Sequence, residues 1–171
     1  MPTATDKTDA TLKTNNIATQ FKAGMAGELI YEHAVQFKQV TEYGVAFDRL
    51  LSGAAAPPAE GARFDAHVEG TVTGPKLKGT IKGVDYINVR ADGRFQLHFH
   101  AEITTEDGTK IALYAGGVIT PELGSPIAQL RLNITLTTSA AEYSWVNPIQ
   151  VWAQGTVDFA KGEVRFKAYA V

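Results

Sequence analysis

The sequence predicts an all-β protein, a single antiparallel closed β-barrel of about eight to nine strands. Three observations lead there. From Arg63 onward the chain alternates between strand-length apolar-periodic segments and turn signals. Those turn signals include Asp-Gly pairs, which close hairpins because both residues tolerate positive φ. A meander of this many strands escapes its exposed edges most simply by closing on itself. A β-sandwich is the competing arrangement.

Taken in order, Met1 to Asn16 is rich in Thr, Asp and Lys and is expected to be a disordered tail. It lacks the apolar run of a secretory signal. Residues 17–171 are expected to form one domain, opening with a short helix or lead-in over Ile17–Ala26. ELIYEHAVQFKQV, from Glu28 to Val40, reads as the first long strand. Thr41–Leu51 suits a short helix or turn covering a barrel end, although Gly44 weakens a helix. Ser52–Gly61 carries two prolines and two glycines and reads as a loop. Strands are then expected at Arg63–Thr73, Lys76–Lys82, Asp85–Val89, Arg94–Thr104, Lys110–Val118, Ile127–Thr137, Gln150–Phe159 and Glu163–Val171. The turns between them fall at Gly74-Pro75, Lys82-Gly83, Asp92-Gly93, Asp107-Gly108, Ser125-Pro126 and Lys161-Gly162.

Composition narrows the function classes. A chain of 171 residues, 44% hydrophobic and 20% charged, has enough material for a sizeable core. The net charge of −2, with scattered Lys and Arg, argues against nucleic acid as partner. No apolar run reaches the roughly 18 residues of a helical membrane span, so no membrane partner is expected. The absence of cysteine removes disulfides, thiolate metal sites and cysteine nucleophiles, and makes a cytoplasmic location the simplest expectation. There is no GxSxG elbow and no dinucleotide fingerprint, and the GTVTG at Gly70–Gly74 lacks the length and lysine of a phosphate loop. No cofactor is expected.

The strongest chemical candidate is QLHFHAEI, residues 96–103. Its alternation places His98, His100 and Glu102 on one strand face and Leu97, Phe99, Ala101 and Ile103 on the other. Facing a cavity, the imidazoles exchange protons near neutral pH and the carboxylate orients one ring. Facing water, they do nothing chemical. His67 or Glu69 is a candidate to join from another strand. His98 and His100 alone are too few ligands for zinc, and no metal is expected.

Two further clusters stand out. In GVDYINVRADG, Asp85 shares a face with Ile87 and Val89, while Tyr86 shares the other with Asn88 and Arg90. Arg90 suits a substrate carboxylate or, equally, the turn residue Asp92. In extended form Tyr143, Trp145 and Asn147 point one way, as a wall for a planar ligand or as a core plug and turn cap. Tyr114 adds a phenol to either.

EGTVTGPKLKGTIKGVDYINVRADGRFQL, with TTEDGTKIALYAGGV and YSWVNPIQVWAQG, resembles an uncharacterised domain-of-unknown-function family of small bacterial and fungal proteins. Its members are β-barrels similar to the allene oxide cyclase and dirigent barrels, lipocalin-like in outline. The resemblance spans most of Glu28–Val171 and fits poorly over Thr41–Gly61. It implies a barrel that holds a small organic molecule. The family pattern matches Asp85, Arg90 and Asn147 but has an aspartate and an arginine where this chain has His98 and His100.

The sequence therefore leads us to expect a cofactor-independent lyase, isomerase, hydratase or cyclase acting on a small oxygenated apolar compound. Its expected catalytic residues are His98, His100 and Glu102, with Arg90, Tyr86, Tyr114, Tyr143, Trp145, Asn147, His67 and Asp85 contacting substrate. A non-catalytic binding barrel is the alternative. Inward histidines would leave the Leu97/Phe99/Ala101/Ile103 face to be covered, so a homo-oligomer is also expected.

Overall fold

The computed structural model describes residues 27–122 and 124–171. The expected tail, Met1–Asn16, and the lead-in, Ile17–Ala26, lie outside them.

Eight strands close into one barrel in the order β1 to β8, each hydrogen-bonded to its sequence neighbours and β8 back to β1. The strands are β1 (Glu28–Glu42), β2 (Ala62–Thr73), β3 (Gly79–Val89), β4 (Phe95–Thr105), β5 (Lys110–Pro121), β6 (Ile127–Thr137), β7 (Val151–Asp158) and β8 (Glu163–Ala170). Every pairing is antiparallel. Among the described residues no helix is long and apolar enough to cross a membrane.

The expected strands match closely, with one correction. The expected strands Lys76–Lys82 and Asp85–Val89 merge into a single strand, β3, which begins only at Gly79. Gly83 is an in-strand residue, not a turn. A Cβ there would lie 2.4 Å from the His100 carbonyl oxygen, so the glycine permits a close approach of β4. True turns carry the φ of their glycines, +81° at Gly93 and +86° at Gly108.

The connections alternate between the two barrel ends. One end carries the β1–β2 segment, whose only helix is α1 (Phe47–Leu51). Phe47 turns into the barrel mouth, its ring 4.8 Å from Phe64, 6.5 Å from Phe95 and 6.1 Å from Phe159. This is the expected cover of a barrel end. The other end is closed by Leu77, in the β2–β3 connection, and by a 3₁₀ helix over Ala141–Val146.

The core is the barrel interior. Each strand sends every second side chain inward, as the pleat requires. On β4 the inward set is Phe95, Leu97, Phe99 and Ile103; on β6 it is Leu130, Leu132, Ile134 and Leu136, all buried. Burying a side chain of this size is worth about 1.5–3 kcal/mol. That drive fixes the parity of every strand, because a one-residue slip would turn the whole apolar set to water.

Candidate functional site

The same parity decides where the ionisable residues go. With Leu97 and Phe99 inward, His98 and His100 are exposed on the outer wall, and Glu102 is only partly covered there. The expectation that these three look into the lumen is therefore corrected. Glu102 also orients no imidazole: it binds the Lys110 ammonium at 2.6 Å and accepts from Thr104. The Leu97/Phe99/Ala101/Ile103 face lines the barrel interior, so it needs no second subunit to cover it.

Several other nominated residues gather on that outer wall. His100 lies 5.8 Å from the Tyr86 ring and 5.0 Å from the Tyr114 ring, edge-on to both. His100 and Tyr86, with His67 and Glu102, border a shallow groove of ≈ 450 Å³. The Arg63 guanidinium sits 5.0 Å over the Tyr86 ring. Arg90 pairs with Asp92 at 3.0 Å in the β3–β4 turn. Tyr143, Trp145 and Asn147 are not on an extended strand, because the segment folds as the 3₁₀ helix and its exit. Tyr143 donates to Asp107 at 3.0 Å, and Asn147 both accepts from the Thr138 N–H and donates to its carbonyl, each at 2.9 Å. Asn147 is thus the turn cap of the second reading, and Trp145 packs part-buried against the core edge.

Asp85 alone among the nominated residues reaches the lumen. It lines a cavity with ≈ 30 Å³ of room for water centres, alongside His33, Phe37, Val68, Leu97, Phe99, Leu130 and Phe166, among others. That is space for a water or two. Among the described residues no lysine or arginine lines it.

The wall is disturbed where Asp85 sits. The β3–β4 register runs from Gly79↔Thr105 to Asp85↔Phe99 and resumes at Asn88↔Gln96, leaving Tyr86 and Ile87 without partners across the ladder. The His98 N–H is taken instead by Asp85 Oδ1 at 3.1 Å. Burial in the apolar lumen pushes the Asp85 carboxyl up to about 7, against the opposing pull of that N–H and of the Arg63 charge. Desolvation dominates because a carboxylate in an apolar surround has lost its water and gained only one donor.

His33, on β1, is the residue that sequence reasoning missed. It is buried, with its ring stacked on Phe166 at 4.1 Å and edge-on to Phe99 at 6.3 Å. Nδ1 has no hydrogen-bond partner among the described residues. Burial lowers the imidazole to about 3, so the ring is neutral at physiological pH. Its inward neighbour Tyr31 is fully buried, also has an unpartnered hydroxyl, and is pushed above the usual phenol range by desolvation. Buried polar atoms normally find partners, so two orphans on one strand mark an unusual place in the core. The signal was legible: His33 shares its parity with Tyr31, Val35 and Phe37. A polar residue on the apolar face of a strand is the clue, not a polar residue among polar ones.

Among the described residues no group of three His, Asp or Glu side chains is placed to hold a metal ion.

Sequence comparison supplies the family. The family described as "Protein of unknown function (DUF3237)" matches residues 56–171, more than half of the chain. The chain belongs to this family. The expected kinship with an uncharacterised barrel family is thereby met, and β1 and α1 lie ahead of the matched region. No curated protein matches the sequence. Solved structures share the fold at low identity. A β-barrel-like protein from Acinetobacter baumannii AYE is 22% identical with a TM-score of 0.66, covering 84% of this chain and 94% of that one. A protein of unknown function from Clostridium acetobutylicum is 19% identical with a TM-score of 0.70, covering 86% and 99%. A protein from Penicillium herquei, described as an enzyme, is 17% identical with a TM-score of 0.54, covering 86% and 98%.

Proposed function

We propose that the barrel is a cofactor-independent acid–base enzyme of lyase, isomerase, hydratase or cyclase type, acting on a small, largely apolar, oxygenated compound held in its lumen. One observation carries this reading: a carboxyl, Asp85, lines an otherwise apolar cavity together with His33, and burial there pushes it up to about 7. Near neutral pH both protonation states of Asp85 are well populated, which is the condition for a group that both takes and returns a proton. In an isomerisation the Asp85 carboxylate takes a proton from carbon beside a substrate carbonyl. The same carboxyl then returns it to another carbon, so no co-reactant is needed.

His33 supplies a different role. A neutral imidazole with an unengaged Nδ1 is suited to orient a substrate oxygen by hydrogen bonding, not to act as a cation. Phe99 and Phe166 form the flat walls. The description of a fold relative from Penicillium herquei as an enzyme is compatible with this reading and specifies no reaction.

The alternative is a non-catalytic binding barrel, favoured by the otherwise apolar lining of the lumen. The two readings part at Asp85→Asn. Incubating a panel of small ketones and enones in D₂O, with NMR of the carbon-bound protons, measures proton exchange directly. The catalytic reading expects exchange that Asp85→Asn reduces by about 10²–10⁴. Equal exchange in both proteins, with retained binding, supports the binding barrel.

A further inference from the structure

The lumen as it stands is too small for an organic molecule, so any substrate requires part of the barrel to give way. The wall is a closed cycle of paired strands whose β3–β4 ladder skips only Tyr86 and Ile87, so the ends are the wider openings. They differ sharply. At the 3₁₀ end the connections are tied to one another: Thr138 Oγ1 donates to the Lys110 carbonyl at 2.9 Å, Tyr143 to Asp107 at 3.0 Å, and the Glu106 N–H to the Lys78 carbonyl at 3.2 Å. At the α1 end the Phe159 N–H donates to the Pro126 carbonyl at 2.9 Å, but the hydrogen bonds of residues 45–61 themselves close within residues 42–61 among the described residues. Apolar packing holds this segment to the barrel. It is bracketed by glycines with φ of +91° at Gly44 and +84° at Gly61, backbone states suited to a change of direction.

Beside that plug runs a groove of ≈ 730 Å³, the size of a small-molecule site. Leu50, Leu51 and Pro57 line it from the segment, and Val89, Phe95 and Phe159 line it from the barrel. Phe95 and Phe159 are also the rings against Phe47. The groove thus shares Phe95 and Phe159 with the ring cluster that plugs this mouth of the barrel.

We infer that substrate enters past Phe47 and that the groove holds its apolar remainder, so the substrate is an elongated molecule with an uncharged carbonyl or hydroxyl head and an aliphatic or aromatic tail. This rests on the catalytic reading of Asp85 for the position of the head. An anionic head is disfavoured because no lysine or arginine among the described residues lines the lumen. β1 and α1 precede the family match, while Pro57, Val89, Phe95 and Phe159 of the groove lie within it.

The test is binding of straight-chain 2-alkanones, from 2-butanone to 2-undecanone, measured by ligand-observed NMR on the full chain. Affinity is expected to rise about 4-fold per added CH₂ until the groove is filled, the factor for burying a methylene. Ala56→Trp, which adds bulk at the groove rim without removing a packed side chain, is expected to weaken the longest ketones about 10-fold and leave the shortest unchanged. A second variant, Leu51→Asp, is expected to flatten the length dependence. Affinity independent of chain length, no binding by any member, or no selective loss in either variant overturns the inference. A length dependence that survives while Asp85 titrates near 4 instead fails the catalytic reading and leaves the groove standing.

Discussion

The lumen and the outer wall of this barrel hold the same chemical groups in opposite surroundings. Outside, His98, His100 and Glu102 lie on the solvent side, and Glu102 is drawn below its ordinary range by hydrogen bonding to Lys110. Inside, one imidazole and one carboxyl, His33 and Asp85, face apolar walls and are displaced toward their neutral forms. The difference is not in residue type but in strand parity. A group one position along a strand passes from water to protein, and desolvation moves its proton affinity more than any neighbour on the outer wall does.

The largest expected contrast is in rate. Asp85→Asn is expected to lower lumen proton exchange by about 10²–10⁴. His98→Ala, His100→Ala and Glu102→Gln are expected to leave it within about two-fold, since removing the His98 side chain retains the N–H that Asp85 binds. The D₂O exchange assay reads both sides of the comparison.

Stability against pH gives the next contrast. The folded-state value of Asp85 lies above its ordinary 3.8, so its favourable contribution is complete below about pH 4 and is lost as pH rises through about 7. At about 1.4 kcal/mol per unit, the whole displacement is on the order of 4 kcal/mol. Asp85→Asn is therefore expected to raise the melting temperature at pH 8 by several degrees and to change it little at pH 4. Thermal melts across that range check the sign.

His33 runs the other way. Its folded-state value lies below the ordinary 6.5, so its contribution is complete above that pH and is lost as pH falls toward about 3. Chemical unfolding of His33→Phe is expected to show a flatter loss of stability between pH 6.5 and 4 than wild type. The smallest effect is expected outside: Glu102→Gln breaks an exposed ion pair with Lys110 and should leave the melting temperature unchanged within error.

Sequence made the barrel legible because turn chemistry and period-2 alternation are local signals. Ile127–Thr137 was read at its true bounds, and Asp92-Gly93 and Asp107-Gly108 at their true turns. The miss at Gly83 has a physical cause: a glycine that lets a neighbouring strand approach looks, in sequence, like one that turns the chain. The site was half legible. Asp85 was nominated and its apolar companions Ile87 and Val89 were noted, yet greater weight went to QLHFHAEI because two histidines on one face look like machinery. The apolar face opposite them was the stronger signal, since burial of Leu97, Phe99 and Ile103 outweighs any preference of the imidazoles. His33 stands alone among apolar neighbours of the same parity, so no cluster of polar residues marks it in the sequence. The interrupted β3–β4 ladder depends on two strands meeting and left no mark in either segment.

The most direct test of this account is a ¹³C NMR titration of the Asp85 carboxyl in the folded protein, assigned by its loss in Asp85→Asn. A midpoint about 7 is the expected result. A midpoint near 4 would mean that water or a cation reaches the carboxylate, and would contradict the assignment of the lumen as the site of proton transfer.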